Sequence, residues 1–342
     1  MKQLQQNELL IPPGLIDLAA ERVGGEALLA SDEFFAEKEN LLKPGRGIFI
    51  PDKYTDRGKW MDGWESRRKR TPGNDWCIVK LGLPGIVKMV DIDTNHFLGN
   101  HPPFASLDAA AVEEGMTVSR LSNDPSVWAT VVPKSSLNPG AQNIFTIADD
   151  KRRTHVRLNI YPDGGVARLR VFGTVVPDWN KHRPGDLVDL AAVENGGMVV
   201  TGSDMYFGAV QNLLMPGRAA TMADGWETRR RRGPGNDWAI IKLGRAGTVR
   251  KIDVDTSHFK GNFPDECSVE SCNSSANSDI DVLTSPSVQW NVLLPRTRLK
   301  PDAIHCFEKE LQNPGECSHV RLSIFPDGGV SRFRVWGVVG NE

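Results

Sequence analysis

The sequence predicts an all-β protein made of a tandem repeat of two β-sandwich (jelly-roll) domains, and three observations carry that expectation. The 342 residues are about twice a typical domain of roughly 100–200 residues. Gly 33 and Pro 22 together make about 16% of the chain, above the roughly 12% norm, which favours turn-rich structure. The two halves also repeat each other's motifs in the same order.

The repeat is visible by eye. DGWESRRKRTPGNDW starts at Asp62 and returns as DGWETRRRRGPGNDW at Asp224; DIDTNHFLGN from Asp91 returns as DVDTSHFKGN from Asp253. HVRLNIYPDGGVARLRVFG from His155 returns as HVRLSIFPDGGVSRFRVWG from His319, and a fainter pair starts at Asp17 and Asp189. Between Asp62 and Asn100, 25 of 39 positions equal their partners, so the unit is a whole domain rather than a solenoid turn. The domains are expected over 15–178 and 187–340, with the polar Pro/Gly stretch Asp178 to Asp186 as linker. The offset is 172 residues early in the unit and 162 at the DGWE motif. GIFIPDKYTDRGKWM (Gly47 to Met61) shrinks to AATMA (Ala219 to Ala223), so the first copy carries an extra loop beside its arginine-rich motif, to be read as a cover for a site or as a tolerated surface insertion.

Short strand signals separated by turns recur within each unit. WCIVKLG and VKMVDID read as strands, and HVRLNIYPDGGVARLRVFG reads as strand, Pro-Asp-Gly-Gly turn, strand. Alternation puts Arg157, Asn159 and Tyr161 on one face and Val156, Leu158 and Ile160 on the other. The strongest helix candidate is GLIDLAAERV, mirrored by DLVDLAAVEN. Many short strands without sustained helical alternation point to a sandwich.

Composition narrows the function classes. With 39% apolar and 25% charged residues the chain is globular, and no apolar run approaches the roughly 18 residues of a membrane span. The balance of 41 Lys+Arg against 43 Asp+Glu argues against a dedicated nucleic-acid binder. MKQLQQNELLIPPG lacks the apolar core of a signal peptide and GVVGNE is no peroxisomal tail, so a cytoplasmic location is expected. Cys77, Cys267, Cys272, Cys306 and Cys317 then read as reduced thiols, and His305-Cys306 with Cys317-x-His319 fits no zinc spacing.

The ordered motifs, including SDEFF and ENLLKPG, resemble the allantoicase family over nearly the entire chain, from about Asp17 to Gly337. The resemblance implies two galactose-binding-like jelly-roll domains, assembly into a homo-oligomer, and hydrolysis of allantoate to ureidoglycolate and urea in purine degradation. A non-catalytic tandem lectin-like protein is the alternative, with Trp64, Trp76, Trp226 and Trp238 available for sugars.

Allantoate carries one carboxylate and two ureido groups on one carbon. Its site needs a cationic fork, acceptors for ureido N–H groups, a base for water and an acid for the departing nitrogen. Three repeated constellations offer such groups. The first is Glu65, Arg67, Arg68 and Arg70 followed by Asn74, matched by Glu227, Arg229, Arg230, Arg232 and Asn236; Glu65, Arg67, Asn74 and their partners are assigned to substrate binding, with Arg67 and Arg229 as the preferred carboxylate fork. In an extended segment Glu65 and Arg67 share a face and Arg68 points away. The second is Asp91, Asp93 and His96, matched by Asp253, Asp255 and His258. Clustered carboxylates raise one pKa, so Asp93, His96, Asp255 and His258 are assigned to catalysis. The third is His155 with Arg157, matched by His319 with Arg321, assigned to substrate binding; the turn residues Asp163 and Asp327 are expected to bond their own backbone. No residue is assigned to a metal, and the second constellation leaves a divalent ion such as Mn²⁺ open. His101 has Phe263 as its counterpart, which makes the copies chemically unequal.

Overall fold

A computed structural model describes residues 14–112, 115–274, 280–312 and 315–340. Residues 1–13, read above for an export signal, and the last two residues of the GVVGNE tail lie outside that set. The chain divides into two compact units between Val176 and Pro177.

In the first unit the strands are β1 (Ile16–Asp17), β2 (Glu26–Ala30), β3 (Tyr54–Thr55), β4 (Gly58–Lys59), β5 (Trp64–Glu65), β6 (Asp75–Asp93), β7 (Phe104–Ala110), β8 (Ala129–Ser136), β9 (Gln142–Thr146), β10 (Arg152–Tyr161), β11 (Gly165–Val166) and β12 (Arg168–Val175). WCIVKLG and VKMVDID are the two ends of the single 19-residue β6. Its first part pairs with β2 and β10, its second part with β12 and β9. The register with β10 slips between Arg153 and His155, so the strand leaves one layer for the other. One layer is therefore β2-β6-β10-β7-β8 and the other β1-β12-β6-β9. Val156, Leu158 and Ile160 from the first layer and Val90, Ile92, Leu169 and Val171 from the second are fully buried, as inward positions of a two-layer sandwich should be.

The second unit repeats the plan with β13 (Val188–Asp189), β14 (Met198–Gly202), β15 (Trp226–Glu227), β16 (Asp237–Asp255), β17 (Glu266–Cys272), β18 (Asn291–Arg298), β19 (Ile304–Phe307), β20 (Glu316–Phe325), β21 (Gly329–Val330) and β22 (Arg332–Val339). Among the described residues each unit has one short α-helix, α1 (Val118–Asn123) and α2 (Ile280–Thr284), which follow β7 and β17.

One local expectation is corrected. GLIDLAAERV forms no α-helix: β1 is followed by a single 3₁₀ turn, Glu21–Val23, ended by Gly24 at φ 92°. The Asp17 carboxylate accepts from the Ala19 and Val171 amides, which ties the segment to β12 instead. The strand, turn, strand reading of HVRLNIYPDGGVARLRVFG holds, with the two strands paired to β6 rather than to each other. β10 and β12 belong to opposite layers, each paired to its own part of β6, and the turn crosses the edge between them. The ten-residue expansion between Gly47 and Met61 folds into the β3–β4 hairpin, with the Trp60 amide bonded to the Lys53 carbonyl.

Candidate active site

The crossing of β6 brings the β6 ends, the 161–168 turn and the loops 31–36, 62–74 and 94–103 to one end of the sandwich. Trp64 anchors this end: its side chain is fully buried and its indole N–H donates to the Asp32 carbonyl at 2.8 Å. Trp226 does the same to Asp204 at 2.7 Å. Both indoles are thus core residues, out of reach of any sugar, while Trp76 and Trp238 are half-buried.

The arginine-rich segment is pinned at alternate residues. The Asp32 carboxylate accepts from the Arg67 amide and guanidinium, both at 2.8 Å. Asp204 holds Arg229 identically, at 2.9 Å for each bond. The next odd residue, Lys69, gives its amide to Asp163 and its ammonium to buried Asp75, both at 2.8 Å. The turn aspartates therefore bond across to this segment, Asp163 to Lys69 and Asp327 to Arg231, rather than to their own backbone. Arg68 and Arg230 lie between these pins, exposed, and their side chains make no ion pair or hydrogen bond among the described residues. The uncommitted cations of the motif are the even residues, not the expected Arg67 and Arg229.

Glu65 pairs with Gly165 through β5–β11, and its carboxylate accepts from Asn100 at 2.7 Å. Burial raises its pKa above the ordinary carboxylate value, with the Asn100 bond opposing. Glu227 receives the same bond from Asn262.

Asp93 and Asp255 end β6 and β16 on the outward face of the second layer, and both are buried. Asp93 is held bidentately by Arg46, at 2.8 and 3.0 Å, and also caps the Asn95 amide. Asp255 caps the Ser257 amide, and Arg218, the counterpart of Arg46, donates to the Ser257 hydroxyl. Asp91 carries the raised carboxyl: burial pushes it up to about 6, while the Gln142 amide pulls the other way and the neighbouring Asp93 adds a smaller upward push. His96 and His258 occupy the left-handed region at φ 68° and 71°, and both are exposed. The His96 ring stacks on Phe49 of the extra loop at 5.6 Å. The His258 ring is tied to the Ala219 carbonyl at 2.9 Å.

The third constellation lies elsewhere, on the outer face of the first layer. Arg157 pairs with Asp108 at 2.9 Å and covers the Trp128 ring; Arg321 pairs with Glu270 at 2.6 Å and covers Trp290. His155 and His319 share this face but are buried, bonded to Thr154 and Ser318, and pushed down to about 4 by burial with nearby Lys80 and Lys242 adding to it. They are neutral side chains, not open groups beside the arginines. Asn74 and Asn236 give their amides to the Asp75 and Asp237 carbonyls. In the second unit Asn236 and Arg321 line one cleft of about 660 Å³.

The cysteine–histidine pairs of the last third are separated. His305 and Cys306 sit on β19 in one layer, Cys317 and His319 on β20 in the other. Among the described residues no group of three or more His, Cys, Asp or Glu side chains is placed to hold a metal. Asp32, Arg46 and Asn100 are the residues that chemistry-first reading of the sequence passed over. Each is repeated, as Asp204, Arg218 and Asn262, which is the signal that could have found them.

The architecture and the doubled end cluster define a tandem two-repeat jelly-roll protein whose polar end cluster recurs in each repeat. The profile described as the allantoicase repeat matches residues 16–176 and 188–340. A probable allantoicase of Burkholderia mallei is 51% identical over 324 residues, covering 95% of this chain and 94% of that one. The allantoicase of Dictyostelium discoideum is 47% identical, covering 93% and 86%. The crystal structure of the Saccharomyces cerevisiae allantoicase superposes with a TM-score of 0.77 at 40% identity, covering 95% and 94%. The chain belongs to the allantoicase family, and the lectin-like alternative is set aside.

Proposed function

We propose that this protein hydrolyses allantoate to ureidoglycolate and urea, a step of purine degradation, at the end-loop clusters of its repeats. The carrying observation is that the allantoicase repeat matches both units and that both keep the cluster Glu65, Arg67, Arg68, Asn100 and His96 as Glu227, Arg229, Arg230, Asn262 and His258.

In this reading Arg68 and Arg230 supply the fork for the substrate carboxylate, because Arg67 and Arg229 are already neutralised by Asp32 and Asp204. Glu65, whose pKa is raised by burial, protonates the departing urea nitrogen, and His96 takes the proton from water. Asp93 positions the loop through Arg46 and Asn95. The same reading carries two repeat domains over 15–178 and 187–340, a homo-oligomer and a cytosolic location.

The test is urea release from allantoate by the purified chain, with and without chelator. Absence of urea under both conditions sinks the reading. Loss of turnover with chelator alone assigns a metal to the reaction.

A further inference from the structure

We infer that the outer-face cleft of the second repeat binds a small ureido acid, separately from the end-loop cluster. The choice of ligand rests on the allantoicase reading; the cleft rests on a comparison of the two repeats. In the first repeat this position is saturated by its own side chains. Asp108 accepts from Arg157 twice, at 3.2 and 2.9 Å, from Asn159 at 2.9 Å and from the Thr130 hydroxyl at 2.8 Å. Ser106 is taken by Asn159 and by the Tyr161 hydroxyl.

Four of these groups are exchanged in the second repeat, while Arg157 and Ser106 are kept as Arg321 and Ser268. Thr130 becomes Val292, Asn159 becomes Ser323, Tyr161 becomes Phe325, and Asp108 becomes the longer Glu270. Arg321 still donates to Glu270, through Nε and Nη2 to Oε2 alone. Glu270 Oε1 and Arg321 Nη1 have no hydrogen-bond partner among the described residues, and the Glu270 side chain is 26% exposed. An acceptor and a donor, fixed side by side by the ion pair and by the Trp290 ring under the guanidinium, therefore open into a cleft walled by Trp238.

A ureido group fits that pair: it is planar, its N–H groups suit Glu270 Oε1, and its carbonyl suits Arg321 Nη1. Arg296, stacked on Phe325 at the same cleft, is ion-paired with Glu266 through Nε, and its Nη groups, which make no hydrogen bond among the described residues, are left to donate to a carboxylate on the ligand.

Calorimetric titration of the full chain with hydantoate, the simplest stable ureido acid, tests this, with acetate as control. The wild type is expected to bind hydantoate, and Glu270→Gln to weaken binding by at least about tenfold. A variant carrying E270D, V292T, S323N and F325Y installs the closing set that already packs in the first repeat, and it is expected to abolish this binding while the melting temperature holds. Binding should persist when Arg68 and Arg230 are both replaced by Ala. Hydantoate binding that is absent, or unchanged in both cleft variants, overturns the inference. Urea release from allantoate on the same preparations separates the two failures: release without cleft binding leaves the proposed function standing.

Discussion

Arg67 is closed onto Asp32 at 2.7 Å, and its neighbour Arg68 is left without an ionic partner among the described residues. The Arg229–Asp204 pair and Arg230 repeat the arrangement. Arg68→Ala with Arg230→Ala is therefore expected to raise the KM for allantoate by about one to two orders of magnitude, the range for losing a charge-assisted contact. Arg67→Ala should instead lower kcat through a displaced loop and change stability by less than about 1 kcal/mol, since its side chain is 63% exposed. Steady-state kinetics on the variants decide it: an unchanged KM in the Arg68/Arg230 double variant would remove the fork from these residues.

Asp93 depends on Arg46 in a different way. The carboxylate is 2% exposed while the guanidinium is 40% exposed, so removing the cation strands a buried charge. Arg46→Ala is expected to cost about 1–3 kcal/mol in guanidinium denaturation, discounted for the exposed partner. Arg46→Ala combined with Asp93→Asn should cost less than Arg46→Ala alone. Additive losses would show that the pair does not interact.

The buried histidines set a pH slope. His155 and His319 titrate near 4 when folded and near 6.5 when unfolded, so between those values the folded chain holds fewer protons. Stability is thus fully present above about pH 6.5 and is lost as pH falls toward 4. Asp91, raised to about 6, acts with opposite sign over about pH 4 to 6. The comparison to make is melting of the wild type against the double variant His155→Gln/His319→Gln. The wild type should lose roughly 2–5 kcal/mol more than the variant between pH 7.5 and 4.5, up to about 2.5 for each histidine, and equal slopes would contradict the assignment.

How much of this was legible depended on whether a signal was local. The two repeats and the inward face of Val156, Leu158 and Ile160 follow from motif identity and period-two alternation, which need no partner. The layer assignment of β10 and β12 was hidden because it is set by β6, a strand about 60 residues earlier that feeds both layers. The arginine motif was visible as charge. Which cation stays free is decided by Asp32, Asp75 and Asp163, of which only Asp75 is near in sequence. Solvation was equally opaque: His155 and Arg157 share a face, and burial alone makes one a neutral packing group and leaves the other half-open.

The extra loop makes the two end clusters unequal. Phe34 and Phe35 are each 37% exposed, whereas their counterparts Tyr206 and Phe207 are 63% and 62% exposed. The cover comes from the hairpin: Gly58 lies against the Phe35 ring, Arg57 bonds the Phe34 carbonyl and sits over its ring, and Phe49 stacks on His96. Among the described residues nothing equivalent shields the second cluster, where His258 is instead tied down by the Ala219 carbonyl. A walled cluster whose imidazole makes no hydrogen bond among the described residues suits water exclusion and proton transfer better than an open one. Replacing Gly47 to Met61 by the Ala219 to Ala223 sequence is therefore expected to lower kcat/KM for allantoate by at least about tenfold with little change in melting temperature. Asp93→Asn should likewise reduce turnover more than Asp255→Asn. Equal losses from the two aspartate variants, together with full activity of the loop exchange, would show that the repeats contribute alike and that the hairpin is a tolerated surface insertion.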